Sequence, residues 1–578
     1  MKVSDYIMDR IKKEGVDHLF SVTGGGCMHI TDSGYRKGML VPVMHEQAGA
    51  IAAEAYSRIR GFGACTVTTG PGCTNAITGV GCAWIDSIPM LVVSGQGNAW
   101  DLVKDSGVRQ IGIQEIDITR VVSPITKKAI TASEHIQYEL EHCIREAKKD
   151  RPGPSWIDVP LNIQKLEIEP TDIPQETTAI SYITRELYST LELLTASKRP
   201  VIVVGNGVRL SGAVNEFLDM IEILGIPVFT TWGTADILDN DDPLYCGRPG
   251  SFGQRGANIS IQQCDLLIGI GTRFSIGQTS YNRKLFAPEA NKVIVDIDIN
   301  ELRRWDDDVV KIACPAKEFI TRFMAMIEDY NPRHNSWLSY CKKMLKAYPV
   351  VLPEYAVADK PNSYRFTDAL SYYLTNDDII ITDVGTSFTC TFQSFRIKKG
   401  QRLFNSSGMA SMGYCLPASI GAHYASGGRI ISLNGDGGIM MNIQELQTIS
   451  GQNLPIKIFV YENDGYLTMK HTQINNFKLL ANSNPSSGLT LPNLDKIFKS
   501  YDIPTLHINN SNEIIPRIQS TLSYDKGPIA CIIHMDPMQL LTPTVRSKIV
   551  DGKVIPVGIE YMQPIIEEYE TYECKRDI

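Results

Sequence analysis

Along the chain, short apolar runs alternate with glycine-containing turns and with amphipathic segments of helical period. The runs over 64–69, 90–94, 201–204, 266–269, 292–296, 379–382, 430–433 and 456–461 are mainly apolar, with a few threonines and end charges. A strand that is apolar on both sides is covered on both faces, which predicts parallel strands with helices packed against each face. The pattern therefore predicts an α/β fold of doubly wound parallel sheets, with ligands bound beyond the carboxyl ends of the strands. Two polar, proline-bearing stretches interrupt the rhythm: 167–181, with Pro170 and Pro174, and 348–363, with Pro349, Pro353 and Pro361. Cutting there predicts domains over 1–170, 182–347 and 364–542, each the size of one doubly wound sheet. Residues 543–578 read as a tail that packs over the body and ends in a disordered acidic stretch. No short-period repeat is visible, but the first and third blocks are candidates for distant relatives in fold.

Length agrees with this division, because 578 residues exceed what one core supports. A net charge of -8 without a basic block argues against a nucleic-acid partner. The 13 cysteines include no Cys-x-x-Cys pair and sit among apolar neighbours, so they read as buried thiols rather than disulfides or zinc ligands. No apolar run approaches membrane-spanning length, and the first residues lead into a helical pattern. The expected location is the cytoplasm.

The first chemistry appears where the run 430–433 ends in Asn434-Gly435-Asp436-Gly437-Gly438. Ile439, Met440, Ile443, Leu446 and Ile449 then recur at helical spacing, with Gly451 as a stop. A glycine turn at a helix N-terminus lets backbone N–H groups approach a phosphate. Asp436 in that turn and Asn463 after the next strand can both offer oxygen to Mg²⁺, which takes one or two protein ligands beside phosphate oxygens. A lone Gly-Asp-Gly is usually only a tight turn. Here Asn463 follows Gly437 after 25 intervening residues.

That pairing resembles the thiamine-diphosphate (ThDP) motif, with Glu462 standing where the first of two asparagines is usual. The resemblance implies Asp436, Asn463 and the Gly465 carbonyl as metal ligands, and Gly435, Gly437, Gly438 and Tyr466 as cofactor contacts. It extends over the chain and is closest to the acetolactate synthase family. His45-Glu46-Gln47 through Ala53-Glu54-Ala55-Tyr56-Ser57-Arg58 is similar to the segment carrying the activating glutamate, so Glu46 is implied as the acid on the aminopyrimidine ring. Gly70-Pro71-Gly72-Cys73-Thr74-Asn75 and Asp86-Ser87-Ile88-Pro89 match two further segments, the first of which implies Asn75 as a cofactor contact. Gln114 is implied as donor to a substrate oxyanion. Gly408-Met409-Ala410-Ser411-Met412-Gly413 implies Met412 as the wedge under the cofactor and the Ala410 carbonyl as acceptor for the pyrimidine amine. Val384-Gly385-Thr386-Ser387 resembles the second diphosphate turn, so Gly385, Thr386 and Ser387 are implied there. The opening Ser21-Val22-Thr23-Gly24-Gly25-Gly26 resembles a subgroup associated with surface-polysaccharide pathways, with Gly24 and Gly25 at the cofactor. In such enzymes the first and third domains, pyrimidine-binding and diphosphate-binding, meet across a subunit interface. A homodimer or homotetramer is therefore implied.

In the middle block, Gly271-Thr272-Arg273-Phe274 and Val295-Asp296-Ile297-Asp298 resemble flavin-holding segments, which implies FAD at Arg273 and Asp296 in a largely structural role. Two departures bear on substrate. The family's arginine soon after Arg-Phe, which grips the acceptor carboxylate, is replaced by Gly277 in Arg273-Phe274-Ser275-Ile276-Gly277. Its tryptophan downstream of the metal motif is replaced by Thr472 in Lys470-His471-Thr472-Gln473. His471 itself reads either as a proton relay or as an ordinary surface residue. The expected activity is decarboxylation of a 2-keto acid, pyruvate first, with transfer of a two-carbon unit to a carbonyl acceptor. An uncharged acceptor is the expectation from these departures, and the resemblance to the polysaccharide-associated subgroup implies the keto group of a nucleotide sugar as its candidate. Acetolactate synthase, a non-ligating decarboxylase, as Asn463-Asp464-Gly465-Tyr466 suggests, and a silent cofactor-holding subunit remain as alternatives.

Overall fold

The computed structural model of the chain describes residues 1–566 apart from 172, 174–180, 332 and 551–552. Three parallel sheets succeed one another along it. The first contains β1 (Leu19–Ser21), β2 (Leu40–Pro42), β3 (Gly63–Val67), β4 (Met90–Gln96), β5 (Lys128–Thr131) and β6 (Pro154–Pro160), in the order β2-β1-β3-β4-β6-β5. The second contains β7 (Pro200–Val204), β8 (Val228–Thr230), β9 (Leu266–Ile270), β10 (Asn291–Asp296) and β11 (Val310–Ala313), in the order β11-β10-β9-β7-β8. The third contains β12 (Ile379–Thr382), β13 (Arg402–Phe404), β14 (Ile430–Gly435), β15 (Ile456–Glu462), β16 (Thr505–Ile508) and β17 (Ile529–His534), in the order β13-β12-β14-β15-β17-β16. The first and third sheets thus share one strand order, as their similar rhythm suggested. In each the order reverses beside the sheet's first strand, which opens a crevice between β1 and β3 and between β12 and β14.

The outer domains are joined through a common core. The helix Glu46–Arg60 starts at an N-cap imidazole, with His45 Nδ1 accepting from Gln47 N at 3.1 Å, and stops at Gly61, which takes the left-handed conformation at φ 86°. Its alanines lie against the helix Cys415–Ser426 so closely that a Cβ at Gly421 would stand 2.0 Å from the Ala52 carbonyl oxygen. Tyr414 adds a buried hydrogen bond across the junction, its hydroxyl donating to Glu54 at 2.6 Å. The central domain keeps apolar clusters of its own. Residues of the tail are strapped to it: Arg255 donates to the carbonyls of Met562 (3.2 Å) and Pro564 (2.6 Å), and Asn258 to that of Ile559 (2.7 Å). The expected disordered end falls at 567–578, outside the described residues, as does most of the first polar stretch.

The single helix expected after the Gly-Asp-Gly-Gly turn is instead broken. It comprises the one-turn helix Asp436–Ile439, a 3₁₀ turn Met440–Asn442 and the helix Glu445–Gly451. Tertiary contacts explain the break. Asn442 donates to Gln47 (3.1 Å) and to the Gly413 carbonyl (2.9 Å), and Glu445 accepts from Met44 N (3.1 Å). All twelve described cysteines are free and buried, and no described helix is long and apolar enough to cross a membrane.

Gly421→Ala forces backbone away from backbone at the domain junction, since the Cβ contact is with a carbonyl rather than a movable side chain. A loss of about 1–3 kcal/mol is expected in denaturant unfolding. An unchanged midpoint would show that the junction tolerates separation.

Candidate functional site

Both crevices carry residues singled out from the sequence. On the third sheet, β14 and β15 are sewn together at their ends by one carboxylate. Asp436, 2% exposed, accepts from the backbone N–H groups of Gly437 (2.8 Å), Asn463 (2.8 Å) and Gly465 (3.1 Å). Burial pushes its carboxyl up to about 6 against the pull of those donors. Beside it the Asn463 Oδ1 is buried without a partner among the described residues. An amide oxygen left so is costly unless a ligand completes it. A carboxylate next to an unpaired amide oxygen is a donor set that suits Mg²⁺, so the residues present fit that ion. Only glycine serves at 437 and 465, where a Cβ would meet the Tyr466 ring at 2.3 Å and the Ser483 carbonyl at 2.2 Å.

The neighbouring turn after β12 carries Gly385 at φ 73° and starts the helix Thr386–Ser394, in which Thr386 and Ser387 are buried. Asp383, which the sequence reading passed over, organises this corner. It is fully buried and accepts from Val384 N at 2.9 Å and from Gly413 N at 3.1 Å. A Cβ at Gly438 would lie 2.5 Å from its Oδ2. Burial raises this carboxyl to about 7. One acid thereby joins the Gly385 turn, the Gly438 turn and the 408–413 loop. The signal was an acid at a strand end directly before Val384-Gly385, but acids are common at strand ends. In the loop itself Ala410, exposed, is held at φ 52°, a left-handed backbone uncommon for a residue with a Cβ. Met412 is half-buried beside it.

On the first sheet, a Cβ at Gly24 would meet Thr68 at 2.5 Å, whereas Gly25 is exposed and faces no atom within 4 Å. Glu46 opens its helix with only 9% exposed, and its Oε2 accepts from Asn75 Nδ2 at 2.9 Å. A Cβ at Gly72 would lie 3.3 Å from its Oε1, so the Gly70–Gly72 turn lies over the carboxyl. Gln114 is exposed at φ 57°, and its carbonyl would stand 2.2 Å from a Cβ at Gly70. The structure thus brings Glu46, Asn75 and the Gln114 loop to one turn. Glu115 secures that loop by accepting from Ile111 N and Gly112 N, both at 2.9 Å.

Between the first and central domains lies a cavity of about 1390 Å³, lined by Gly205, Gly207, Arg273 and Asp296 among others. The turns after β7 and β9 cross there so tightly that a Cβ at Gly205 would be 2.2 Å from the Gly271 carbonyl. Arg273 reaches to 3.9 Å from Asp86, and Asp296 is pushed up to about 6 by burial. Size and strand-end position suit a dinucleotide such as FAD. Gly277 also has a steric reason: a Cβ there would meet the Trp232 ring at 2.6 Å. His471 is occupied, Nε2 lying 2.9 Å from the Gln539 carbonyl, and Thr472 is exposed.

Comparison with known proteins follows the same three-part division. Residues 1–121 match the family described as thiamine pyrophosphate enzyme, N-terminal TPP binding domain. Residues 187–323 match its central domain and 383–533 its C-terminal TPP binding domain. Among relatives, a probable acetolactate synthase large subunit of Methanocaldococcus jannaschii is 31% identical, covering 100% of this chain and 98% of its own. The acetolactate synthase large subunit of Porphyra purpurea is 29% identical over 90% of each chain. The acetolactate synthase isozyme 2 large subunit of Escherichia coli is 27% identical over 94% of this chain and 97% of its own.

Asn463→Ala removes the unpartnered amide oxygen while leaving the Asn463 N–H bond to Asp436 in place. The Mg²⁺ concentration needed for half-maximal ThDP binding is expected to rise at least about tenfold, read by titration calorimetry. An unchanged requirement would remove Asn463 from the ligand set.

Proposed function

Since the chain belongs to the thiamine-diphosphate-dependent, acetolactate-synthase-like enzymes, we propose that it decarboxylates pyruvate and passes the two-carbon unit to a carbonyl acceptor. The observation that carries this reading is the pairing of buried Asp436 with the unpartnered Asn463 oxygen at one crevice, and of Glu46 with Asn75 at the other. When bound, ThDP supplies a carbon nucleophile at its thiazolium ring. Asp436, Asn463 and the Gly465 carbonyl would hold Mg²⁺, and the N–H groups at the Gly385 and Gly437 turns would hold the diphosphate. Gly435, Gly438, Thr386, Ser387 and Tyr466 would line the same end. The Ala410 carbonyl, Met412, Gly24 and Gly25 would seat the pyrimidine end and force the bent shape.

Glu46 would hold the proton exchanged with the aminopyrimidine ring. Asn75 holds its carboxyl in one orientation, and the turn over it keeps water away. Gln114, exposed on its strained loop, donates to the substrate oxygen on which negative charge develops. Half of this machinery is expected from a partner copy, giving a homodimer or homotetramer of cytoplasmic location. FAD fits the inter-domain cavity, with Arg273 and Asp296 as contacts and a structural role; a yellow colour with flavin absorbance in the purified protein is the test.

The relatives' names support a second pyruvate as acceptor, with acetolactate as product. They lend nothing to a keto-sugar acceptor. One observation favours an uncharged acceptor as a second reading: Trp232 fills the space beside Gly277, so position 277 presents no cationic side chain. Incubation with pyruvate alone, then with neutral carbonyl compounds and keto sugars, separates the two. Acetolactate as sole product under every condition would end the second reading, and no consumption of any 2-keto acid would end both. Glu46→Gln is expected to lower turnover by at least about 10²-fold with ThDP affinity changed by less than about threefold. Activity retained in that variant would place the activating acid elsewhere.

A further inference from the structure

Lys470 stands on the helix Leu467–Phe477, directly behind the loop that offers Asn463 and Gly465. It is 1% exposed. Its Nζ donates to the Asn463 carbonyl at 2.7 Å and to the Pro537 carbonyl at 2.5 Å. Those two bonds leave one of its three N–H groups over. It forms no ion pair among the described residues; burial lowers its ammonium pKa, and the carboxylates of Asp436, Asp464 and Asp536 oppose that through space. A cation taken out of water is costly without an anion to offset it. The chain nevertheless places one beside its Mg²⁺ donor set, where a diphosphate and Asp436 together carry more negative charge than one Mg²⁺ neutralises.

We propose that Lys470 is the fixed cation of the diphosphate end of the site, a positioning residue whose charge offsets the anionic cofactor tail while its hydrogen bond orients the Asn463 loop. This rests on the ThDP–Mg²⁺ reading above and extends it, since Lys470 belongs to none of the motifs that suggested the cofactor. It acts through Asn463 and through its field, so its effect scales with ligand charge. A lysine that only tied the helix to the Pro537 segment would affect charged and uncharged ligands alike.

The test uses the full chain and its Lys470→Met and Lys470→Arg variants. Affinities are measured by calorimetry for ThDP with Mg²⁺, inorganic diphosphate with Mg²⁺, and thiamine, which lacks the diphosphate. Lys470→Met is expected to weaken the first two about ten- to a hundredfold and thiamine by less than about threefold. Lys470→Arg keeps the charge and is expected within about threefold of the parent throughout. Equal weakening of all three ligands overturns the proposal. So does an unchanged affinity for diphosphate, or a cofactor-free Lys470→Met protein that no longer folds, because each makes the lysine a structural tie. Failure of the parent chain itself to bind ThDP with Mg²⁺ would instead remove the functional reading beneath it.

Discussion

The backbone-to-backbone approach of helix 46–60 to helix 415–426 is the constraint on which the rest of the molecule depends. Gly421 lets the two axes come close enough that Ala52 and its neighbours pack directly on the partner helix. The helix that begins with Glu46 is thereby set by the third domain, and the loop that carries Ala410 and Met412 leads straight into the other helix. A bulkier seam would move both at once. The same junction buries charge. Arg58 pairs with Glu54 and Asp86, and Asp86 in turn accepts from Gly408 N at 3.0 Å. Ion pairs this deep add little stability by themselves, but they penalise any register that leaves one partner alone. The junction is therefore specific as well as close.

Around this seam the molecule repeats one solution. Two sheets of identical strand order each open a crevice beside their first strand, and the chemistry-bearing turns lie at those openings. On the diphosphate side, two buried acids divide the work. Asp436 draws the ends of β14 and β15 together, and Asp383 ties the turn after β12 to the 408–413 loop, with Gly438 packed against it. Both are raised by burial and held by backbone N–H donors. Lys470 supplies the opposite charge from behind. The unpartnered Asn463 oxygen marks the place where this balance is open to a ligand.

Much of this was legible beforehand, because it depends on local rules. Apolar runs bounded by glycine announce buried parallel strands, and the strands at 379–382, 430–435 and 456–462 lie where such runs were read. Gly-Asp-Gly-Gly at a strand end points to a phosphate-binding turn only together with Asn463 after the next strand, and Gly435 to Asn463 is a local βαβ unit. The apolar period after the turn predicts one continuous helix, but the helix is broken because Asn442 and Glu445 answer to the first domain rather than to their own helical period. No motif marks the roles of Asp383 and Lys470, for a related reason. An acid at a strand end and a lysine on a helix are ordinary in sequence, and only burial gives them meaning.

By itself, then, the sequence determined the strand–turn–helix rhythm, the three-block division and the residue types at the glycine turns, since propensity, period and backbone sterics act over a few residues. Tertiary structure alone decided which of those turns meet. It placed Asn75 on Glu46, Gln114 on Gly70, Asp383 on Gly413 and Trp232 over Gly277. Those contacts join segments tens of residues apart, and their energies come from burial and shape, which a linear pattern does not encode.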